Sequence, residues 1–349
     1  DRPVRQTPGV RFASFSRRRQ CALIILAVSL AAAVLAGAYL LAQKLERDAL
    51  GGEEPKGSLE GRFDQPLRVE YGGKTYEQKQ RLTTILLMGI DKVSQPQEVQ
   101  SSFRNGGQAD FLALLVIDSL GKSVSSVHID RDAMVDITTL GIFGNVSGTR
   151  RAQISLQHGF GDGGEQSAAL TADAVSRLFG GMPVDFYVAL DLDVIDALNS
   201  VLGGVEVTIE DDFTELDPSM APGATIRLQG KQAEYFVRSR MNIGDGTNYA
   251  RMTRQRVFLS AAGDAMMAKL RENPGFGDDL LNALAPSMTT NMRRGRMINE
   301  INATRDYDRE AMTSLQGEHH IAQDGFMEFV ADRAALDELV LSLFFREVE

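Results

Sequence analysis

Several things are scarce in this sequence, and each scarcity excludes a class of protein. Its 349 residues contain one cysteine, no tryptophan and four histidines. A lone Cys cannot form an internal disulfide or a CxxC metal or redox motif. No HExxH occurs, and the histidines are scattered except for His319-His320, which lacks a nearby ligand set and reads as a solvated turn. No GxSxG occurs either, which removes the usual cue for an activated serine nucleophile. Positive charge is also short: 37 Lys plus Arg face 47 Asp plus Glu, a formal net of −10. That balance speaks against a nucleic-acid surface or a basic face held to anionic lipid. What is plentiful is apolar: 43% hydrophobic residues over this length exclude a disordered chain and predict at least one sizeable core.

The longest uncharged run covers residues 21–41 (CALIILAVSLAAAVLAGAYLL), enough to cross a bilayer core of about 30 Å as a helix. Its length exceeds the apolar stretch of about 7 to 15 residues in a cleaved signal peptide, so a retained anchor is the reading, with cleavage near Ala36-Gly37-Ala38 the lesser alternative. Six arginines precede it (Arg2, Arg5, Arg11, Arg17, Arg18, Arg19), and residues 42–61 hold three basic and five acidic side chains. The positive-inside bias then places residues 1–20 in the cytoplasm and the rest of the chain outside the cell membrane. Residues 51–57 (GGEEPKG) read as a flexible tether within a lead-in spanning 42–81.

From residue 82 to 349 apolar runs alternate with helical patterns, which points to an α/β layered domain. Residues 83–89, 111–117 and 125–129 read as buried strands, 165–179 as an amphipathic helix, 186–190 and 205–209 as strands flanking a helix over 194–202. The tail from 262 onward reads as mainly helical, completing the same domain. Two tripeptides, Gly73-Lys74-Thr75 and Gly121-Lys122-Ser123, suggest a P-loop, but the first glycine that motif requires is replaced by Arg68 and Val116. The GxGxxG at Gly159–Gly164 precedes a helix and has Asp185 downstream, yet residues 153–158 are too short and polar for a central strand. A plain turn and helix start is the better reading.

Charge is most uneven over residues 227–256, where Arg227, Lys231, Arg238, Arg240, Arg251, Arg254 and Arg256 meet only Glu234 and Asp245. Guanidinium forks bind phosphate oxygens in pairs, so this local +5 suits a phosphate or pyrophosphate, with solvated surface charge the plain alternative. Arg251, Arg254 and Gln255 share one face if a helix begins near Asn248, and Arg238 and Arg240 share one side if their segment is a strand. Asp91 follows the first buried strand and Asp110 opens the second, positions from which side chains reach the crevice at strand ends. Two carboxylates beside arginines match a pyrophosphate held through Mg²⁺. After the third strand comes Asp130-Arg131-Asp132, where Arg131 could meet charge developing on a transferring phosphoryl group.

In this order the residues resemble the LytR-CpsA-Psr family of membrane-anchored bacterial envelope proteins. The matching segments are Thr84-Ile85-Leu86-Leu87-Met88-Gly89-Ile90-Asp91, Asp110-Phe111-Leu112-Ala113-Leu114-Leu115-Val116, the run from Ile129-Asp130-Arg131-Asp132 to Ile137, Gly203-Gly204-Val205-Glu206-Val207, Leu228-Gln229-Gly230-Lys231-Gln232-Ala233, Val237-Arg238-Ser239-Arg240 and Arg251-Met252-Thr253-Arg254-Gln255. The resemblance implies a mixed central sheet sandwiched by helices (α/β/α) after an N-terminal transmembrane helix. It implies Mg²⁺-dependent transfer of a phosphate-linked glycopolymer from a polyprenyl pyrophosphate carrier to peptidoglycan in a Gram-positive envelope, with a pyrophosphatase side activity. The implied metal residues are Asp91 and Asp110, the implied catalytic ones Arg131 and Asp110. Arg238, Arg240, Arg251, Arg254 and Gln255 are the implied pyrophosphate-binding set. Gln108 stands where the family carries an Arg, and Arg104 in the preceding loop offers a replacement charge. A polyprenyl-phosphate-binding sensor or regulator of envelope maintenance is the alternative function.

Overall fold

A strand buried on both faces needs apolar residues at nearly every position, and LTTILLMGID meets that requirement. It forms β3 (Leu82–Asp91), the centre of a computed structural model that describes residues 67–91, 106–141, 144–192, 194–239, 242–244, 246, 248–323 and 325–348. The apolar run at 21–41, the tether, Arg104 and Arg240 lie outside the described residues. All described residues belong to one compact unit, Glu54–Glu349.

β3 pairs antiparallel with β4 (Gln108–Asp118), which pairs antiparallel with β5 (Ser123–Ile129). On its other side β3 runs parallel to β8 (Phe186–Asp191). Short strands from the tail extend both edges: β11 (Met288–Thr290) beside β8, and β12 (Asp308–Arg309) and β13 (Thr313–Ser314) beside β5. The result is a mixed seven-stranded sheet, with β6 (Met134–Leu140) and β7 (Val146–Gln153) pairing antiparallel apart from it.

Because side chains alternate across a strand, the sheet presents two apolar faces. Leu86, Met88, Leu112, Leu114, Val127 and Ile129 pack with Ala168, Ala172 and Val175 of α1 (Glu165–Leu178). Ile85 and Ile117 point the other way, toward Leu281 of α5 (Phe276–Leu284) and Met297 of α6 (Arg294–Ala303). Helices on both faces make the expected sandwich. A further core joins α2 (Val194–Leu202), α3 (Gln232–Arg238) and α4 (Asn248–Glu272) to the β9 (Glu206–Thr208) and β10 (Thr225–Arg227) pair.

The misleading glycine motifs are turns. Gly72 and Gly73, with φ of 58° and 77°, make the two-residue hairpin between β1 (Arg68–Tyr71) and β2 (Lys74–Gln78). Gly121 sits in the β4–β5 turn, where Asp118 Oδ1 accepts from Leu120 N at 2.9 Å and Gly121 N at 2.7 Å. At the GxGxxG, Asp162 Oδ1 accepts from Gly164 N and Ser167 N and starts α1, while a Cβ at Gly106 would lie 3.0 Å from the Cα of Gly163. That turn is filled by the chain entering β4. Asp185 bonds Thr84 across the sheet, Oδ2 accepting from its N at 2.9 Å.

Two expectations change. Residues around Arg238 are helical rather than extended: Ala233, Phe236 and Val237 are buried at i, i+3 and i+4, a helical period that overrides the local alternation of Val and Arg. The tail is less helical than its pattern, because between α6 and α7 (Arg333–Phe344) it supplies β12, β13 and a hairpin of β14 (Gly317–Ile321) and β15 (Met327–Ala331). His319-His320 therefore lies on a strand, not a turn. After α7, β16 (Phe345–Val348) pairs with β2, so residues 68–78 of the lead-in are folded against the C-terminal strand.

Candidate active site

The first feature of the site is a defect in the β3–β4 ladder. Gly89 is opposite Phe111 and Ile90 is opposite Ala109, so Asp110 has no partner and is the extra residue of a β-bulge. A bulge re-aims the side chain it carries. Gly89 permits it: a Cβ there would lie 3.0 Å from the Phe111 Cβ and 3.2 Å from Leu192 Cδ2. One pair further on, Asp91 faces Gln108. The strand ends thus bring Asp91, Gln108 and Asp110 together.

Two guanidiniums flank Asp110. Arg131 Nη1 donates to its Oδ1, and Arg251 Nη1 lies 3.6 Å from its Oδ2. The other fork nitrogen of Arg131, Nη2, donates to Gln108 Oε1 at 2.6 Å, and its Nε lies 3.5 Å from Asp132 Oδ1. Gln108 is thus an acceptor that orients Arg131. Asp91 Oδ1 lies 3.4 Å from Arg238 Nη2, and Arg238 Nη1 also meets Glu234 Oε1 at 3.2 Å. Burial pushes the Asp132 carboxyl above its ordinary range, against the pull of Arg131.

The positive segment divides when folded. Arg238 and Arg251 face the two strand-end carboxylates. Arg254, i+3 from Arg251, is 5% exposed and turns into the protein. It bonds Asp211 Oδ2 at 2.5 Å, Phe236 O at 3.0 Å and Ser239 O, with Phe213 under its guanidinium. Gln255 is buried, with Nε2 3.4 Å from Val237 O and Oε1 without a hydrogen-bond partner among the described residues. Arg256 bonds Ser314 Oγ, and Arg227 pairs with Glu206 on the surface.

The sequence left the roles of three participants unassigned. Gln108 stood out only as a departure from the family's Arg, and His319 only as part of a solvated turn. His128, stacked on Phe111 with ring centroids 4.8 Å apart, is driven down to about 3 by burial, then by Arg256 and Arg251. His319 Nε2 meets the buried Asp130 at 2.8 Å across 189 positions of sequence, a pairing no local pattern announces. Chemically, the cluster is an acid-and-guanidinium crevice at the end of a mixed sheet, suited to a phosphate-bearing ligand.

The fold and this crevice define a mixed-sheet α/β protein with an acid-and-guanidinium site at its strand ends, and the comparisons narrow it. A model of the LytR_cpsA_psr family matches residues 52–343, and the chain belongs to that family. One relative is the polyisoprenyl-teichoic acid–peptidoglycan teichoic acid transferase TagU of Bacillus cereus (strain AH820), 24% identical over 283 residues, covering 80% of this chain and 84% of TagU. Among solved structures, TagT bound to LI-WTA superposes with a TM-score of 0.57 at 19% identity, covering 81% of this chain and 96% of TagT. The gbs0355 protein of Streptococcus agalactiae gives 0.59 at 18% identity, with 75% and 87% covered. These structures share the fold.

Proposed function

We propose that this protein transfers a phosphate-linked glycopolymer from a polyprenyl pyrophosphate carrier to peptidoglycan. The observation that carries the reading is Asp110 on its bulge between Arg131 and Arg251, beside the Asp91–Arg238 pair, in a chain related to a teichoic acid transferase. An acceptor hydroxyl of peptidoglycan attacks the phosphorus that bears the polymer. The bridging P–O bond breaks, and the polyprenyl phosphate leaves with the electron pair. Asp110, where it is not committed to a metal, takes the hydroxyl proton, and Arg131 and Arg251 neutralise charge on the phosphoryl oxygens. Arg238 holds the second phosphate; Arg240 and Arg104 are proposed to add to the same site. Arg254 supports the segment through Phe236 O and Ser239 O, and Gln255, whose Nε2 lies 3.4 Å from Val237 O, is proposed to act on the pyrophosphate from the same helix. Water in place of the acceptor would give a pyrophosphatase side activity.

Mg²⁺ is proposed as the cofactor, since that ion is often held by one or two carboxylates and completed by phosphate oxygens; Asp110 would exchange a guanidinium for it, because both of its oxygens face arginines. Asp91, 39% exposed at its side chain, and Asp110 would hold it. When bound, it would neutralise pyrophosphate charge. A hydrophobic cleft beside the sheet is proposed for the carrier's tail. The uncharged run at 21–41 behind six arginines supports a single-pass anchor with an extracellular domain.

The test is the full chain in detergent with a polyprenyl-pyrophosphate-linked glycopolymer, peptidoglycan and Mg²⁺. Transfer that disappears in Arg131→Ala supports the reading. Binding of the carrier without turnover overturns it in favour of a sensor or regulator.

A further inference from the structure

We infer that His319, on the β14–β15 hairpin, is a positioning residue that clamps the turn carrying Arg131. The inference rests on the transferase reading for its kinetic consequence but on geometry for the clamp itself. Asp130, 4% exposed, uses both carboxylate oxygens: Oδ1 accepts from Asp132 N at 2.9 Å and Oδ2 accepts from His319 Nε2 at 2.8 Å. The turn is closed by Ala133 N donating to Asp130 O at 3.0 Å. Arg131 therefore sits between two residues whose backbone is fixed by one buried side chain.

The hairpin grips the same turn at two more points. Phe329 N donates to Asp132 O at 2.8 Å and Ala133 forms a parallel bridge with Phe329, while Gln153 Nε2 links the two, donating to Asp132 Oδ1 at 3.3 Å and to Met327 O at 2.5 Å. The His319 ring lies against Phe329, with centroids 4.9 Å apart, which holds the imidazole in line with Asp130. A buried carboxylate that loses a hydrogen-bond donor becomes costly to keep in place, so the turn would shift to seek solvent. Arg131 would move with it, away from Asp110 and Gln108. His319 touches none of the reacting groups and acts only through the turn.

The experiment uses the full chain and two variants, His319→Ala and His319→Gln, the second keeping an N–H donor of similar reach. In the transfer assay, His319→Ala should lower kcat by about tenfold to a hundredfold, the scale of a roughly 1 Å misplacement, with KM for the carrier little changed. His319→Gln should restore kcat to within about threefold of the parent protein. Hydrogen exchange supplies a readout independent of turnover: amides of Asp132, Ala133 and Phe329 should exchange about tenfold faster in His319→Ala, those of β3 unchanged. An unchanged kcat in the alanine variant, a loss that Gln does not rescue, or faster exchange spread evenly over the domain would overturn the proposal. If the parent protein transfers nothing, the functional reading fails while local exchange still decides whether the clamp exists.

Discussion

Asp110 and Arg254 show how ion-paired side chains come to different uses. Asp110 gathers two cations at a crevice, whereas Arg254 is sealed inside with Asp211 and two carbonyls. Removing one partner of a buried pair leaves the other uncompensated, a cost of about 3 kcal/mol or more. Arg254→Ala is thus expected to lower the unfolding midpoint in denaturant clearly. Arg238→Ala, at a half-exposed pair, should leave that midpoint nearly unmoved while weakening binding of a polyprenyl pyrophosphate, as measured by titration. For Arg131→Ala the expected loss of transfer is about a hundredfold to a thousandfold, as for removing one donor that stabilises developing charge. Composition revealed the arginine excess, but which arginine points where depends on helix phase and on neighbours far away in sequence.

Among the elements, the bulge in β4 has the largest consequence. Its residues read as a buried strand from pattern alone, and β3, β4, β5, β8, α1 and α2 all appear close to where the pattern puts them. Nothing local says that Asp110 is the extra residue, because a bulge is a property of two strands and their register. Gly89→Ala tests this directly. The added methyl must displace Phe111 or Leu192, at a cost of about 1 to 3 kcal/mol by overpacking, and should lower transfer more than stability accounts for. Activity that falls only in proportion to the folded fraction would show the bulge to be irrelevant to the site. At α3 the alternation of Val237, Arg238, Ser239 and Arg240 suggested a strand, and burial of Ala233, Phe236 and Val237 on one helical side decided otherwise.

The molecule as a whole carries buried titratable groups whose effects oppose one another. His128 is held down to about 3 in the folded protein against 6.5 ordinarily, so the unfolded chain takes up a proton that the folded one refuses. Its contribution is fully present above 6.5 and is lost as pH falls toward 3, on the order of a few kcal/mol across the span. Asp132 acts with the opposite sign: its raised pKa favours the folded state in acid, and that benefit fades as pH rises above 3.8. Thermal unfolding followed from pH 7 to pH 4 should show a falling midpoint, about flat in His128→Asn if this histidine dominates the acid limb. A second expectation concerns the lead-in. A chain beginning at Leu82 loses β1 and β2 and strips β16 of its partner, and its midpoint should drop by roughly 5 °C or more relative to one beginning at Leu67.

The sequence by itself determined the α/β class, the central strands and the family, and pointed to the residue types of a candidate site, because alternation, helical period and local charge are written in neighbouring positions. It also rejected the P-loop and dinucleotide readings, and the turns at Gly73, Gly121 and Gly161 agree. Only the tertiary structure decided that Asp110 stands on a bulge, that Gln108 orients Arg131, that Arg254 is buried, and that His319 reaches Asp130. Each of those depends on register or on contact between segments distant along the chain, and such contacts are set by packing of the whole domain rather than by any window of it.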